Sequence, residues 1–257
     1  MLFSGANDSD LPGCRLGQVL FVGKRNRMAI MPFYVRQAER LYFVQAIRYV
    51  KQVILVTDRF ERDTMPRVNG FQPEVWVVEA AEDKAQKRAY SAAHNLTYMV
   101  LEPADLRGFP IHPIDTAPDG TQKKVIVTGC YDWLHSGHVR FFEEVSALGD
   151  LYVVVGHDAN VRLLKGDQHP LFPEDERQYM VQAIRHVRQA IISTGHGWMD
   201  AEPEIDRLKP DMYVVNEDGD VPEKRAFCEA HNLEYVVLRR TPAEGLPRRE
   251  STNLRGF

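Results

Sequence analysis

The sequence predicts an α/β protein built on a doubly wound parallel sheet that occurs in two copies. Three observations predict it. Short β-branched runs alternate with helical stretches of about ten residues, the pattern of successive βαβ units. The segment Glu39–Leu101 aligns without a gap on Glu176–Leu238, offset by 137 residues, and roughly 28 of about 63 positions are identical. A strand-like run, Val125–Thr128, passes through Gly129 into a helical stretch that opens near Gly137. That turn belongs at the carboxyl edge of an open parallel sheet, where such sheets bind ligands.

The second copy opens on Val125–Thr128, continues through a helical stretch at Val139–Leu148, and reaches another β-branched run at Leu151–Val155. Pro173-Glu-Asp-Glu then starts a helix, and Val181, Ile184, Val187 and Ile191 keep a helical period beyond it. Ala190–Ser193 and Met212–Val215 read as strands, Glu223–Ala230 as a helix and Tyr235–Leu238 as the last strand. The first copy repeats this order, with Val19–Val22 matching Leu151–Val154, but residues 1–18 are too few and too polar to supply the opening strand, turn and helix. The domain reading is a degenerate copy over 1–105, a linker rich in Pro, Gly and Asp over 106–122, and a complete copy over 123–257.

Bulk properties narrow the function. With 257 residues, 44% hydrophobic and 26% charged, the chain can bury a sizeable core. A net charge of −4 gives no basic field, which excludes long nucleic acid and an anionic membrane surface as expected partners. The three cysteines, Cys14, Cys130 and Cys228, fit no metal-site spacing and read as reduced thiols. The opening MLFSGANDSD lacks a basic lead into an apolar run, and no stretch nears the roughly 18 apolar residues of a membrane helix. A cytoplasmic protein is expected.

The chemistry concentrates in Gly129-Cys130-Tyr131-Asp132-Trp133-Leu134-His135-Ser136-Gly137-His138. A helix N-terminus offers free N–H groups and a partial positive charge, both suited to phosphate. Two histidines three apart can donate to phosphate oxygens together, and Gly137 lets the backbone approach closely. This stretch resembles the G-x-F-D-x-x-H-x-G-H hallmark of the cytidylyltransferase-like nucleotidyltransferases, with Tyr131 in place of Phe. The resemblance covers Lys123 to the end. Leu164-Lys165-Gly166, followed by Pro173-Glu-Asp-Glu-Arg177, is similar to the family's lysine loop and E-x-x-R helix start. Arg240-Thr241 and Ser251-Thr252 resemble its R-T-x-G-I-S-T segment, although about nine residues, Pro242–Glu250, separate the two halves here.

The resemblance implies a Rossmann-like nucleotidyltransferase fold. It also implies transfer of CMP from CTP to a phosphorylated alcohol, amino alcohol or sugar, with release of pyrophosphate. His135, His138 and Lys165 would carry catalysis. Gly129, Cys130, Tyr131, Asp132, Gly137, Asn216, Asp218, Arg240, Thr241, Ser251 and Thr252 would bind the nucleotide, with Arg248 or Arg249 an alternative to Arg240 as the phosphate-binding cation. Arg177 would anchor the acceptor phosphate; because the first copy keeps Arg40 at the equivalent position, a shared structural ion pair is the other reading. Asp132 reads equally as a turn cap, and Trp133 and Trp198 as pocket or core residues. Mg²⁺ is the implied divalent cation, with no protein ligand set identified, and a homodimer is the implied assembly. Three alternatives stand beside this reading: an adenylyltransferase of the same superfamily, since the two histidines read the triphosphate and not the base; a nucleotide-binding regulator without turnover; and a class I aminoacyl-tRNA synthetase fragment, disfavoured by the missing lysine-rich signature.

Overall fold

The computed structural model describes the backbone of residues 19–23 and, in full, residues 36–56, 61, 63–111 and 122–250. The chain divides into two compact units, Met1–Gln45 with Tyr49–Gly108, and Ala46–Arg48 with Phe109–Phe257.

The first unit contains β1 (Val19–Gly23), α1 (Gln37–Gln45), β2 (Gln52–Val56), β3 (Val75–Glu79), α2 (Ala85–Ala93) and β4 (Thr97–Leu101). Strands β1 and β2 pair in parallel, as do β3 and β4, forming two separate two-stranded sheets among the described residues. A small core gathers Met65, Trp76 and Val78, with Tyr90 and Tyr98 packed against it.

The second unit contains β5 (Lys124–Gly129), α3 (Ser136–Ser146), β6 (Asp150–Val155), α4 (Asp158–Lys165), α5 (Glu174–Gln182), β7 (Gln189–Ile192), α6 (Glu202–Leu208), β8 (Met212–Asn216), α7 (Pro222–Ala230) and β9 (Glu234–Leu238). Its five strands are all parallel, in the order β7-β6-β5-β8-β9. The order reverses between β5 and β8, so a ligand crevice belongs outside the carboxyl ends of those two strands. Central β5 is apolar on both faces, as a doubly covered parallel strand must be, and Val125, Ile126 and Val127 are fully buried. Val139, Phe142 and Val145 of α3 are likewise fully buried, while Met199, Ile205, Tyr213 and Cys228 build a cluster with Ile126.

The sequence repeat is a repeat of structure. Strands β3 and β4 and helix α2 correspond to β8, β9 and α7 in position and length. The same contacts recur. Arg88 and Tyr98 both donate to the Asp83 carboxylate, as Arg225 and Tyr235 do to Asp220. Lys87 Nζ donates to Glu82 O at 2.8 Å and Lys224 Nζ to Gly219 O at 3.1 Å. The copies differ where the sequence differs. Strand β5, which joins the pairs β6–β7 and β8–β9, has no counterpart among the described residues of the first unit.

One predicted element is corrected. The helical period through Val181, Ile184, Val187 and Ile191 does not mark one helix, because α5 stops at Gln182. Ile184 is buried by a short antiparallel bridge to Ile47, in which Arg48 N–H donates to Ala183 O and Arg185 N–H to Ala46 O, both at 2.8 Å. Ile191 lies in β7. Burial alone produced the apparent periodicity.

Candidate functional site

Helix α3 opens at the carboxyl end of β5, and its first turn organises the site. His135 is the N-cap residue, in an extended conformation. Its Nδ1 accepts a hydrogen bond from Gly137 N–H at 3.1 Å. The Nδ1 of His138 accepts from His135 N–H at 3.3 Å, so the two imidazoles form a reciprocal cap and stack with centroids 4.0 Å apart. Both acceptors are ring nitrogens that face backbone donors. Each neutral ring must therefore carry its proton on Nε2, which leaves two Nε2–H groups as donors. Burial, helped by the neighbouring His135, Arg240 and Lys165, holds the His138 imidazole well below the usual histidine range, so the ring is neutral at pH 7.

The two motif glycines have steric reasons. A Cβ on Gly137 would lie 2.9 Å from His135 Cε1 and 3.1 Å from the Arg249 carbonyl oxygen. A Cβ on Gly129 would lie 2.8 Å from the Tyr131 ring, which folds back over the strand end. Tyr131 takes a left-handed φ of 52° and packs edge-on against His138 and beside Phe142.

Asp132 and Arg177, for each of which the sequence leaves a structural reading open, make supporting contacts within the protein. Asp132 is buried, with its side chain fully enclosed. Its Oδ1 accepts from Leu171 N–H at 2.5 Å and Phe172 N–H at 3.1 Å, and its Oδ2 lies 3.1 Å from His169 Nδ1. Asp132 thus braces the 169–172 loop, satisfying backbone donors that would otherwise be orphaned. Arg177 is not at the surface where an acceptor phosphate could reach it. Its side chain is 1% exposed, and it donates to Phe172 O (2.9 Å), Cys130 O (2.6 Å) and Asp158 Oδ1 (2.7 Å). It ties α5 to the β5 turn and to the start of α4. Tyr131, too, lies buried beneath His138 and presents no side chain toward a ligand.

Of the remaining predicted residues, Asn216, Arg240 and Thr241 share a small cavity with Ser136 and Gly137 at the start of α3. Lys165 is the exposed last residue of α4, where the sequence predicts a loop. Asn216 ends β8, and its Oδ1 is a buried acceptor without a hydrogen-bond partner among the described residues. Arg240 donates to Asp218 at 2.6 Å, pairing two residues both expected at the nucleotide. Arg248 pairs with Glu217 at 3.4 Å. Thr241 is exposed on the following segment. Residues 240–249 fold over the start of α3, leaving a cavity of about 10 Å³ lined by Ser136, Gly137, Asn216, Arg240 and Thr241 among others, room for about one water. Ser251 and Thr252 lie outside the described residues.

Sequence reading missed His169 and His157. His157 caps α4, its Nδ1 accepting from Asn160 N–H and its Nε2 lying 2.9 Å from Gly195 O. No sequence spacing marks either histidine, because their partners lie 36 or more residues away or are backbone groups. Among the described residues no helix is long and apolar enough to cross a membrane.

Comparison with known proteins finds relatives of the second unit. The family model described as cytidylyltransferase-like matches residues 126–248. An FAD synthase from Methanopyrus kandleri is 41% identical over 131 residues, which cover 49% of this chain and 84% of that protein. An FAD synthase from Ferroglobus placidus is 38% identical over 103 residues, covering 40% of this chain and 64% of that protein. A bifunctional protein HldE from Helicobacter pylori is 32% identical over 106 residues, covering 41% of this chain and 22% of that protein. The matched portion thus spans under two thirds of the Ferroglobus relative and about a fifth of the Helicobacter one.

Proposed function

This chain belongs to the cytidylyltransferase-like family of nucleotidyltransferases, and from that premise we propose that it is an adenylyltransferase, joining AMP from ATP to a small phosphorylated acceptor. CTP was the first expectation from the hallmark motif. Relatives named FAD synthase move ATP ahead of it, because making FAD adds an AMP unit to FMN. FMN is accordingly the first acceptor to test.

The observation that carries the reading is the pair of Nε2–H donors at the α3 N-terminus, fixed because both Nδ1 atoms already accept backbone N–H groups. They face the partial positive end of the helix macrodipole, a ready phosphate site. In this reading His135 and His138 donate to oxygens on the α-phosphate and its bridge to the β-phosphate, and Lys165 neutralises the α-phosphate. Arg240 exchanges Asp218 for the outer phosphates. Thr241, Ser251 and Thr252 would cap the β/γ end. Asn216 Oδ1, a buried acceptor awaiting a donor, takes a ribose hydroxyl.

The reaction is a single in-line displacement. An acceptor phosphate oxygen attacks the α-phosphorus, the bond from that phosphorus to the α,β-bridging oxygen breaks, and pyrophosphate leaves with the electron pair. The nucleophile is already an anion, so no proton need be removed, and the protein contributes positioning and charge stabilisation. Mg²⁺ fits as an ion that arrives on the triphosphate. Among the described residues no three candidate ligands cluster, whereas Mg²⁺ commonly takes one or two carboxylates plus substrate phosphates. When bound, it would neutralise charge on the phosphates, with Asp218, paired to Arg240, and Glu217, paired to Arg248, as carboxylates at that edge.

The test is pyrophosphate release from ATP and from CTP with Mg²⁺ and FMN, glycerol 3-phosphate or a phosphorylated sugar, with His138→Ala as control. Release with ATP, lost in the variant, supports the reading. Release with CTP alone would overturn it in favour of a cytidylyltransferase.

A further inference from the structure

One side of the site carries an apolar wall that triphosphate chemistry does not use. Trp133 stands two residues before His135, and its ring meets Phe172 with centroids 6.3 Å apart and a tilt of 47°. Both rings are half-buried. Beside them Leu171 is 43% exposed, and Leu164, adjoining Lys165, is 56% exposed.

These side chains are held, not loose. Asp132 fixes the backbone N–H groups of Leu171 and Phe172, and His169 both meets the other Asp132 oxygen and donates its own N–H to Gly166 O at 3.0 Å. The loop that carries Phe172 is thereby tied through Asp132 to the turn before α3 and through His169 to Gly166. Four hydrogen bonds hold the 169–172 loop, and with it Phe172 and Leu171, at the site edge, and clustered exposed apolar side chains mark binding surfaces.

Position on the sheet says which ligand the wall meets. The charges of Lys165 and Arg240 both reach His138. Lys165 comes from the element after β6, on one side of β5, and Arg240 follows β9, on the other. In-line displacement puts nucleophile and leaving group on opposite faces of the α-phosphorus. With pyrophosphate leaving toward Arg240 and Thr241, the acceptor enters from the side of Lys165 and Trp133.

Building on the adenylyl-transfer reading, we infer that Trp133, Phe172 and Leu171 form the binding wall for the acceptor's ring system, which makes the acceptor a phosphate ester of a flat, extended aromatic group. Its phosphate lies toward His138 and Lys165 and its ring lies against the wall. A polyol or sugar phosphate offers hydroxyls, for which these three side chains have only an indole N–H.

FMN is the probe. Stacking on an aromatic side chain quenches flavin fluorescence, so binding is read without turnover. Wild-type protein should quench FMN, and Trp133→Ala should lose the quenching. In turnover with ATP, Trp133→Ala should raise KM for FMN about tenfold while KM for ATP stays within about twofold, and Trp133→Phe should recover most of the loss. Leu171→Ala, at an exposed position that folding tolerates, should raise KM for FMN about threefold. Unchanged FMN KM in both alanine variants would overturn the inference. So would ATP-dependent pyrophosphate release with glycerol 3-phosphate and none with FMN, a result that leaves adenylyl transfer standing. If ATP gives no release with any acceptor, adenylyl transfer fails by itself. The wall is then decided by quenching: Trp133-dependent quenching supports it and absence of quenching refutes it.

Discussion

Replacing Asp132 separates a brace from a nucleotide ligand. In the structure one carboxylate oxygen takes two backbone N–H groups, Leu171 and Phe172, and the other faces His169, with the side chain wholly enclosed. Asp132→Ala orphans two donors, and a buried unsatisfied donor costs about 1–3 kcal/mol. Leu171 lies partly at the surface, where water can reach its amide. The lower half of the sum is therefore expected, about 3 kcal/mol. Asp132→Asn keeps a carbonyl oxygen for both N–H groups and should cost only about 1 kcal/mol. For a folding unit of this size those losses correspond to about 6–12 °C and about 2–4 °C in the thermal midpoint.

The assay is thermal unfolding followed by tryptophan fluorescence, paired with amide hydrogen exchange at Leu171 and Phe172. Both amides should exchange faster in Asp132→Ala and stay protected in Asp132→Asn. ATP binding should survive in Asp132→Asn. If the two variants instead unfold at one temperature, or if Asp132→Asn keeps its stability and loses ATP, the brace argument is wrong and Asp132 contacts nucleotide after all.

Three further outcomes follow from the same geometry. Arg177→Met removes three donated hydrogen bonds and leaves Asp158 partly buried without its partner, so about 2–4 kcal/mol of stability should be lost while acceptor KM in the folded protein barely moves, as thermal unfolding and steady-state kinetics can check. The folded protein holds His138 neutral while the unfolded chain takes up a proton below about pH 6.5, so the unfolded state binds more protons and stability falls as pH drops from 7 to 5.5. His138→Gln should flatten that slope, and wild-type turnover should stay level from pH 7 to 9 because a neutral Nε2–H suffices; a decline starting near pH 7 would mean that an imidazolium is needed. Gly137→Ala pushes a methyl group against His135 Cε1 and the Arg249 carbonyl oxygen, and a displacement of that kind can cost about 100-fold in kcat/KM, measured as pyrophosphate release.

How much of this was legible in the sequence depends on the range of each interaction. Alternating β-branched runs and helical stretches gave the parallel sheet, since propensity and burial act within one element. Strand order, with β5 in the centre, was not legible, because it is set by pairings such as Val125 with Met212 across most of the unit. His135, Gly137 and His138 were legible because capping fixes their spacing within one turn. The roles of Asp132 and Arg177 were not. Their partners are backbone groups of the 169–172 loop and Cys130 and the carboxylate of Asp158, and a sequence shows neither burial nor backbone direction. Lys165 was found by motif and misplaced by element, since the eight residues of α4 are capped by His157, an uncommon cap.

The repeat itself sorts scaffold from chemistry, and it does so independently of any family motif. Positions kept in both copies hold structure: Lys87 and Lys224 each brace a turn through a carbonyl, and Arg88 and Arg225 each clamp an aspartate. Arg177 has Arg40 as its equivalent, and Arg177 is buried among scaffold contacts, as the sorting demands. Positions private to the second copy gather at one edge of the sheet. Asn216 stands opposite Glu79, Asp218 opposite Ala81, Arg240 opposite Pro103 and Thr241 opposite Ala104, while His135 and His138 have no equivalent. A turn that needed Asn216 for folding would need an amide at Glu79 as well. Its absence there, together with the unpartnered Oδ1 at the end of β8, means that Asn216 is kept for something other than the fold.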